Sequence, residues 1–329
     1  MKIQKVELEN AIQSLKTIDK DNSIIGLKKD GIIGFNDLFF TFYKIELPIT
    51  ETLYIDGILL LKFIQTKVKD DLEIIQGENN IVFKSKNRKA TLKIIDIEFK
   101  YQEFFKEIKN NKWKDIPSNF VDGLKECLPV VSNNKDLKGL TAFYLFRDKI
   151  IASDEVRISK YSLDQIMTKK PILIPKKTGK NIIGNKYTQY MFLDNYIVFR
   201  GNNILFISKI LDSNIPPFFG SEGYKKTIIP AFKQDWIDFF ESKDDFNNDF
   251  FDQLSIQGKG KILIIQTKSE SGNIREVVKN KVSWKGNVVL KSDIFKFCLN
   301  ISKKVMISKD QTSVYVISDC HEHIASLTE

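Results

Sequence analysis

The two histidines of the chain, His321 and His323, stand two residues apart near its C-terminal end. Residues i and i+2 of a strand share one face, so this spacing suits two metal ligands, and histidine is also the general base of Ser-His-Asp and Cys-His sites. No further Cys/His cluster lies at ligand spacing, and nothing near the pair indicates an oriented nucleophile. We interpret both histidines as polar residues of the terminus, and no metal or other cofactor is predicted.

Two other groups of residues have the composition of a catalytic motif without its pattern. Gly258-Lys259-Gly260-Lys261 is predicted to be a turn, because the chain lacks the G-x-x-x-x-G-K-[ST] pattern of a phosphate-binding loop. Carboxylates at Asp244-Asp245 and from Asp249 to Asp252 follow a predicted helix, 231–242, in the manner of a solvated connection. The sequence therefore shows no catalytic constellation, and we expect a protein that is not an enzyme.

Length and composition indicate a folded intracellular protein with a basic surface. The 329 residues suffice for two or three domains, each with its own core. No apolar run approaches the roughly 20 residues that span a bilayer, and the N-terminus lacks a signal-peptide pattern, so a cytoplasmic location without a membrane partner is expected. The net charge of +9 comes without a Lys/Arg block, which is compatible with a basic surface distributed over the whole chain.

A short helix signature occurs three times, each time 112 residues after the last. Its apolar residues follow i, i+4, i+7 spacing, the stripe of an amphipathic helix. The three stripes are Leu8, Ile12 and Leu15; Phe120, Leu124 and Cys127; and Phe232, Trp236 and Phe239. This period exceeds that of solenoid repeats, so it indicates three similar domains. Pro and Gly cluster near 117 and 216–223, which places the predicted domains at 1–116, 117–222 and 223–329.

A second marker follows each of these helices, namely a short strand that runs into another helix. The strands are Leu53 to Gly57, Ile172 to Pro175 and Val288 to Leu290, before predicted helices at 58–65, 176–184 and 292–301. Between the helices, Asp30-Gly31, Gly77-Glu78-Asn79 and Gly201-Asn202-Asn203 separate β-type runs and predict hairpins. Each third of the chain therefore reads as helix, strands, helix, strands, an α+β pattern.

Four stretches resemble the DNA polymerase sliding clamps of the bacterial beta type. Residues Leu205 to Pro216 resemble the end of the family's second domain, where a strand with an S-K/R-L pattern enters an acidic-Gly-x-x-Pro linker. Ile174-Pro175-Lys176-Lys177 is similar to the aliphatic-Pro-basic-Lys start of that domain's second helix. Leu137-Lys138-Gly139 looks like its L-x-G strand, and Ala152 to Ile158 looks like its A-T-D-G-x-R-L turn. The turn departs from the family pattern at Ser153, Glu155 and Ile158.

The resemblance implies an α+β fold of three tandem clamp domains, each with two helices backed by antiparallel sheets. In the family, two chains close head to tail into a homodimeric ring of six domains. The ring encircles double-stranded DNA and tethers a DNA polymerase without any catalysis of its own. Closure joins sheet edges of the first and third domains, for which Ile94 to Phe99 and Lys261 to Ile265 are the predicted edge strands.

Lysines on the predicted helices are the candidates for contact with DNA. A ring that binds by topology needs only a weakly attractive inner wall, because tight phosphate contacts would stop it sliding. The candidate lysines avoid the apolar stripes of their helices, and they recur in all three thirds of the chain. They are Lys16, Lys20, Lys62, Lys125, Lys176, Lys177, Lys180, Lys233, Lys296 and Lys303.

The resemblance also implies a pocket for partner proteins. Family members bind short linear motifs of DNA polymerases and of the clamp loader in an apolar pocket between the second and third domains. The motif matches assign Leu137, Ser153, Arg157 and Ile158 to this pocket, and the chain end adds Ile324 and Leu327. The family typically ends in a Met-Pro-Met type strand and its cellular members are usually acidic, whereas this chain differs in both respects. A clamp encoded by a virus, serving its own polymerase in the host cytoplasm, would accommodate both departures.

Two other classes of protein fit parts of the same evidence. A β-rich multi-domain structural protein of a virus would share the strand content and the lack of catalytic residues, but it would bind no DNA and form no ring. A divergent DNA enzyme would use the acidic residues to hold Mg²⁺ and would cleave DNA only with divalent cations. The sliding clamp is the leading hypothesis.

Overall fold

The computed structural model describes residues 2–15, 23–66, 71–97, 108, 111–134, 136–154, 156–212, 226–229, 253–269, 272–291, 304–308 and 313–326. The chain forms two compact units. The first unit comprises Met1–Ile116 and Lys177–Leu211, and the second comprises Pro117–Lys176 and Asp212–Glu329. Each unit is therefore assembled from two separate stretches of the sequence.

Helices within the described ranges bury the stripes that the sequence predicts. Their bounds are α1, Lys5–Leu15; α2, Gly57–Gln65; α3, Phe120–Cys127; and α4, Lys176–Gly184. The stripes of α1 and α3 are buried as expected, at Leu8, Ile12, Leu15, Phe120, Leu124 and Cys127. Helix α2 starts where Asp56 accepts a hydrogen bond from Leu59 N at 2.9 Å, because an aspartate can satisfy a free N–H of the first turn. The third stripe, Phe232, Trp236 and Phe239, and the predicted helix 292–301 lie outside the described residues.

The strands are short except for one long pair. In chain order they are β1, Lys2–Ile3; β2, Ile24–Lys28; β3, Gly31–Phe35; β4, Phe39–Lys44; β5, Leu53–Asp56; β6, Leu72–Gln76; β7, Asn80–Ser85; β8, Arg88–Lys93; β9, Lys114–Asp115; β10, Ala142–Arg147; β11, Lys149–Ser153; β12, Arg157–Ser162; β13, Thr168–Pro175; β14, Gln189–Leu193; β15, Tyr196–Arg200; β16, Ile204–Lys209; β17, Lys226–Ile229; β18, Gln253–Ser269; β19, Gly272–Lys291; β20, Lys304–Ser308; β21, Ser313–Ile317; and β22, His321–Ser326. The predicted hairpins are confirmed as β2–β3, β6–β7 and β15–β16.

Each unit contains one eight-stranded antiparallel sheet, and the two sheets have the same plan. The order is β5-β2-β3-β4-β16-β15-β14-β9 in the first unit and β13-β10-β11-β12-β22-β21-β20-β17 in the second. In the middle of each sheet, strands distant in sequence pair, β4 with β16 and β12 with β22. We call these two pairings the β4–β16 joint and the β12–β22 joint.

The registers of the two joints also match. Tyr43 pairs with Ile204 at one end of the first joint, and Tyr161 pairs with His321 at the same end of the second. At the other end, Phe40 pairs with Ile207 and Ile158 pairs with Ile324. Side chains alternate between the faces of a strand, so each joint has a helix-covered face and an opposite, outer face.

The helix-covered face of the first sheet carries the larger core. Leu8, Ile12 and Leu15 of α1 pack there with Leu60 and Ile64 of α2. Thr41 of β4 belongs to this face, because its hydroxyl donates to the carbonyl of Leu15 at 3.1 Å. Its neighbours Phe40 and Phe42 therefore face outward, where Ile108 and Trp113 pack over the sheet.

Two smaller sheets complete the described fold. The order β1-β6-β7-β8 forms a four-stranded sheet in the first unit, and β18 and β19 form a two-stranded ribbon in the second. The predicted turn at Gly258 to Lys261 is wrong, since these residues lie inside β18. The ribbon instead shifts register between Gly260 and Ile262, where Gly260 has a positive φ of 72° that favours glycine.

Two further strand predictions are wrong. Lys138 and Gly139 of the L-x-G stretch begin a 3₁₀ helix, Lys138–Thr141, because Leu140 N donates to the carbonyl of Leu137 at 2.8 Å and closes the turn locally. The carbonyl of Leu140 in turn accepts from Ser132 N at 2.9 Å. The predicted edge strand from Ile94 to Phe99 is replaced, within the described residues 94–97, by a single bridge between Ile95 and Tyr54. The edge strands of the four-stranded sheet are the two-residue β1 and the six-residue β8. The other predicted edge strand, Lys261 to Ile265, lies in β18 of the ribbon.

Candidate partner pocket and nucleic-acid interface

The turn between β11 and β12 is fixed by an ion pair. Arg157 Nε and Nη2 donate to Asp154 Oδ2 at 2.9 and 2.5 Å, and Asp154 Oδ1 accepts from Arg157 N at 2.9 Å. Both side chains are less than one-fifth exposed. Ser153 closes the turn, since its hydroxyl donates to the Arg157 carbonyl at 2.8 Å. A charged pair with this many hydrogen bonds holds the start of β12 in one conformation.

The outer face of the β12–β22 joint carries the apolar residues of the predicted pocket. Ile158 is half-buried and lies directly opposite Ile324, which is buried. Ile324 packs with Met306 and Tyr315 of the neighbouring strands, and Ile317 borders this cluster. The structure thus brings Ser153, Arg157, Ile158 and Ile324 to one end of the joint, on the three adjacent strands β11, β12 and β22.

Of the other two predicted pocket residues, only Leu137 is among the described residues. Leu137 is half-buried just before the 3₁₀ helix, and its carbonyl accepts from Leu140 N at 2.8 Å. Leu327 lies outside the described residues. The membership of both residues in the pocket stays a prediction.

Three residues of this region have a role that the sequence does not predict. Asp154 lies within the turn that resembles the family, but its role as the partner of Arg157 depends on the fold of that turn. Met306 and Tyr315 come from strands that the sequence places far from Ile158, so no local pattern marks them. Val156 is also exposed beside Arg157, at 48%. This exposure is a property of the fold, so it could not have marked the region from the sequence.

The histidine pair is buried, so its interpretation as polar residues of the terminus is wrong. His321 and His323 are 3% and 0% exposed because β22 is a central strand, covered on this face by α3. His321 Nε2 forms a short hydrogen bond with Ser159 Oγ, and His321 Nδ1 lies 3.5 Å from Glu126 Oε2. This order of groups matches a Ser-His-Glu triad, but Ser159 is fully buried. No substrate can reach its hydroxyl.

Burial sets the charge state of the whole cluster. It lowers the pKa of His321 to about 4. Burial, with smaller contributions from His321 and Arg157, lowers the pKa of His323 to about 3. Cys127, whose Sγ accepts from Ser159 Oγ at 3.5 Å, has its pKa raised to about 12 by burial. Both imidazoles and the thiol are therefore neutral at physiological pH.

The described lysines of the predicted DNA interface lie on three helices. Lys62, Lys125, Lys177 and Lys180 are exposed. Lys125 pairs with Asp122 at 3.4 Å across one helical turn. Lys176 is half-buried, and its ammonium donates to the carbonyl of Val131 and, at 2.8 Å, to Asn133 Oδ1. The remaining candidates, Lys16, Lys20, Lys233, Lys296 and Lys303, lie outside the described residues. Contact of these lysines with DNA stays a prediction.

The described ranges contain no group of three or more His, Cys, Asp or Glu side chains placed to hold a metal ion. They also contain no helix that is both long and apolar enough to cross a membrane.

The repeated sheets and their covering helices have the fold of the bacterial beta-type DNA polymerase sliding clamp, and the α+β expectation is confirmed. The chain is similar over 100% of its length to the Helicobacter pylori beta clamp bound to a DNA ligase peptide, with a TM-score of 0.80, 14% identity and 99% of that chain covered. The chain is also similar to the DNA polymerase III beta chain of Streptococcus pneumoniae TIGR4, with a TM-score of 0.79 and 17% identity. That match covers 100% of this chain and 99% of the Streptococcus pneumoniae chain. The chain is also similar to the DNA polymerase sliding clamp of Bacillus subtilis, with a TM-score of 0.80 and 14% identity. That match covers 100% of this chain and 98% of the Bacillus subtilis chain. No protein-family model and no curated protein matches the chain, so the likeness is one of fold.

Asp154→Ala is expected to lower the free energy of unfolding by about 2 kcal/mol, because it leaves a largely buried guanidinium without its carboxylate. Urea unfolding followed by circular dichroism measures the change. Asp136→Ala, at an exposed aspartate of the same unit, is the matched control and should change stability by less than about 0.5 kcal/mol. Equal effects of the two variants would show that the Asp154–Arg157 pair contributes nothing specific.

Proposed function

We propose that this chain is a DNA sliding clamp, a processivity factor that encircles duplex DNA without reading its sequence and tethers a DNA polymerase. It performs no catalysis itself. Its domains are 1–116, 117–222 and 223–329, and two chains close head to tail into a ring of six domains. The ring acts in the cytoplasm, which is that of the host if the chain is virus-encoded.

The observation that carries this proposal is the shared plan of the two eight-stranded sheets. In each sheet, four strands from one proposed domain meet strands of the next domain at a central joint. Two sheets have no such joint within the described chain: the four-stranded sheet of the first domain and the β18–β19 ribbon of the third. Pairing these two between chains would complete the same plan a third time and cover their open edges.

Association with DNA follows from the charge of the chain and the placement of its helical lysines. A net charge of +9 favours binding to a polyanion, and Lys62, Lys177 and Lys180 are exposed on helices. Flexible, exposed lysines attract phosphates without fixing a register, so a ring lined by them retains its freedom to slide.

Partner binding is assigned to the outer face of the β12–β22 joint. The fixed turn at Ser153 and Arg157 adjoins the apolar pair Ile158 and Ile324, a combination that suits an extended peptide with apolar side chains. The Helicobacter pylori clamp, which has the same fold, was solved with a DNA ligase peptide. We therefore propose that a polymerase and a clamp loader dock here through short linear motifs.

Ring formation tests the proposal without any knowledge of partners. Negative-stain electron microscopy of the purified full-length protein is expected to show closed rings with six lobes and a central hole. Compact monomers at every protein concentration, together with no retention on DNA, would contradict the proposal. That outcome would favour a structural protein, and cleavage of DNA dependent on Mg²⁺ would favour a nuclease.

Reversing the charge of two helical lysines is expected to weaken DNA binding. The double variant Lys62→Glu, Lys180→Glu should lower affinity for duplex DNA in low salt and reduce the slope of log affinity against log salt by about 2, since two phosphate contacts are lost. Fluorescence anisotropy with a labelled duplex measures both quantities.

The control changes the net charge equally at exposed positions away from the helices. Lys29→Glu, Lys149→Glu places the same charges in the β2–β3 turn and on β11. An identical loss of affinity in both double variants would show that net charge, and not the helical position of the lysines, governs binding.

A further inference from the structure

A second pocket lies on the outer face of the first unit, at the β4–β16 joint. Its volume is about 470 Å³, within the range of protein sites that bind small ligands or side chains. Phe42 and Leu205, which pair across the joint, form its floor, and Ile108 and Trp113 form a wall. This pocket is separate from the proposed partner site, which belongs to the other unit.

Two cations border this apolar surface. Lys44 is exposed at the end of β4, and its side chain makes no ion pair with a described residue. Arg200 is held in place, since its guanidinium lies 4.1 Å from the centre of the Trp113 ring and its Nε donates to Gln189 Oε1 at 2.7 Å. Arg200 Nη1 makes no hydrogen bond within the described part of the chain. None of the described residues that line the pocket is acidic.

The matching position in the second unit shows that this chemistry is specific to the first. A smaller pocket of about 210 Å³ lies at the same end of the β12–β22 joint. There Lys160 occupies the position of Phe42, and Glu322 that of Leu205. Lys149 and Asp319 also line it, so charges of both signs replace the apolar floor. The repeated fold therefore supplies a concavity at both joints. Among the described lining residues, charges of both signs occur at the second joint, whereas the first has apolar residues and the two cations Lys44 and Arg200.

The geometry points to a docking site for an acidic linear peptide at the β4–β16 joint. An aromatic or aliphatic side chain of the peptide would fill the space above Phe42 and Leu205, and carboxylates beside it would pair with Lys44 and Arg200. Nucleic acid is disfavoured as the occupant, because bases bind by stacking on open aromatic faces. Here one face of Trp113 is covered by Arg200, and the ring packs against the cluster of Ile33, Phe40 and Ile207.

The inference can be tested on the full-length protein by NMR. The chain has three tryptophans, so the indole ¹H–¹⁵N signal of Trp113 can be assigned from a Trp113→Phe spectrum. The probe is the capped hexapeptide acetyl-Gly-Asp-Phe-Asp-Ile-Gly-amide. We expect its titration to shift the Trp113 signal saturably, with dissociation constants in the micromolar to millimolar range. The same peptide with lysine in place of both aspartates should cause no saturable shift.

Variants then separate this site from the matching pocket and from non-specific attraction. Lys44→Glu is expected to weaken the acidic peptide at least tenfold, whereas Lys160→Glu should leave its affinity unchanged. No Trp113 shift at millimolar acidic peptide, equal binding of the lysine peptide, or an equal effect of both variants would each overturn the inference. Displacement of the peptide by oligothymidylate would overturn it in favour of a nucleic-acid site. The titration requires neither DNA nor a ring, so its result is independent of the proposed clamp function.

Discussion

Thr91→Pro is expected to weaken dimerisation at least tenfold while leaving each chain folded. The β7–β8 hairpin has a two-residue turn, with Ser85 opposite Arg88, and hydrogen-bonded and non-hydrogen-bonded pairs alternate from there. Thr91, opposite Val82, falls in a non-hydrogen-bonded pair, so its N–H points away from β7 towards the open edge. Proline removes this N–H without breaking a bond inside the sheet, and edge strands tolerate it. In the proposed ring, both interfaces between the two chains would contain the substitution.

Sedimentation velocity over a range of concentrations measures the dissociation constant. Thr91→Val is the matched control, because it keeps the N–H and changes only the side chain, and it should dimerise like the parent protein. Thermal unfolding by circular dichroism checks that the proline variant is folded. If that folded variant dimerised as tightly as the parent, β8 would not be the strand that closes the ring.

Acidification from pH 7 to pH 5 is expected to destabilise the second unit strongly. The folded chain lowers the pKa of His321 to about 4 and that of His323 to about 3, against about 6.5 in the unfolded chain. The stability that depends on neutral imidazoles is therefore complete above pH 6.5 and is lost as the pH falls towards 4. At pH 5 the loss is about 2 kcal/mol for each histidine. Glu126 has the opposite effect on stability, because burial and the charge of Asp122 raise its pKa in the folded chain. Acidification near that pKa therefore favours the folded state at this group.

Urea unfolding at pH 7, 6 and 5 measures this dependence. His321→Gln and His323→Leu each remove one titrating group, and each variant should show a smaller change in stability between pH 7 and pH 5 than the parent. The difference between pH values is the informative quantity, because each variant also changes packing. An unchanged pH dependence in both variants would show that the histidines are not the groups that titrate.

Local signals in the sequence predict a helix or a hairpin well when the residues of that element determine its structure by themselves. The stripes of α1 and α3 and the hairpin turns each depend on residues within one helix or one turn. The joints cannot be found this way, because Tyr43 and Ile204 are brought together only by the pairing of whole sheets. No spacing rule relates two residues so far apart in the sequence.

The errors have the same origin. His321 and His323 were assigned to an exposed terminus because polar residues close to a chain end are usually solvated. Their burial is decided by the central place of β22 in its sheet. The 3₁₀ helix after Leu137 likewise depends on backbone bonds around Ser132 that replace a strand partner. The family resemblance singles out Ser153, Arg157 and Ile158, whose role in a pocket stays a prediction, and only the structure shows that Asp154 fixes the turn that holds them.

The β4–β16 joint also constrains the order in which the protein can fold during its synthesis. Strand β4 ends at Lys44, whereas β16 begins at Ile204, so the ribosome must produce the intervening stretch before the first sheet can close. Until then the edge of β4 is open, and long-range pairing of this kind slows folding. The first unit therefore cannot be completed as an autonomous N-terminal domain. Truncation of the gene after residue 116 would yield a half-sheet with an exposed edge, at risk of aggregation, rather than a smaller version of the same protein.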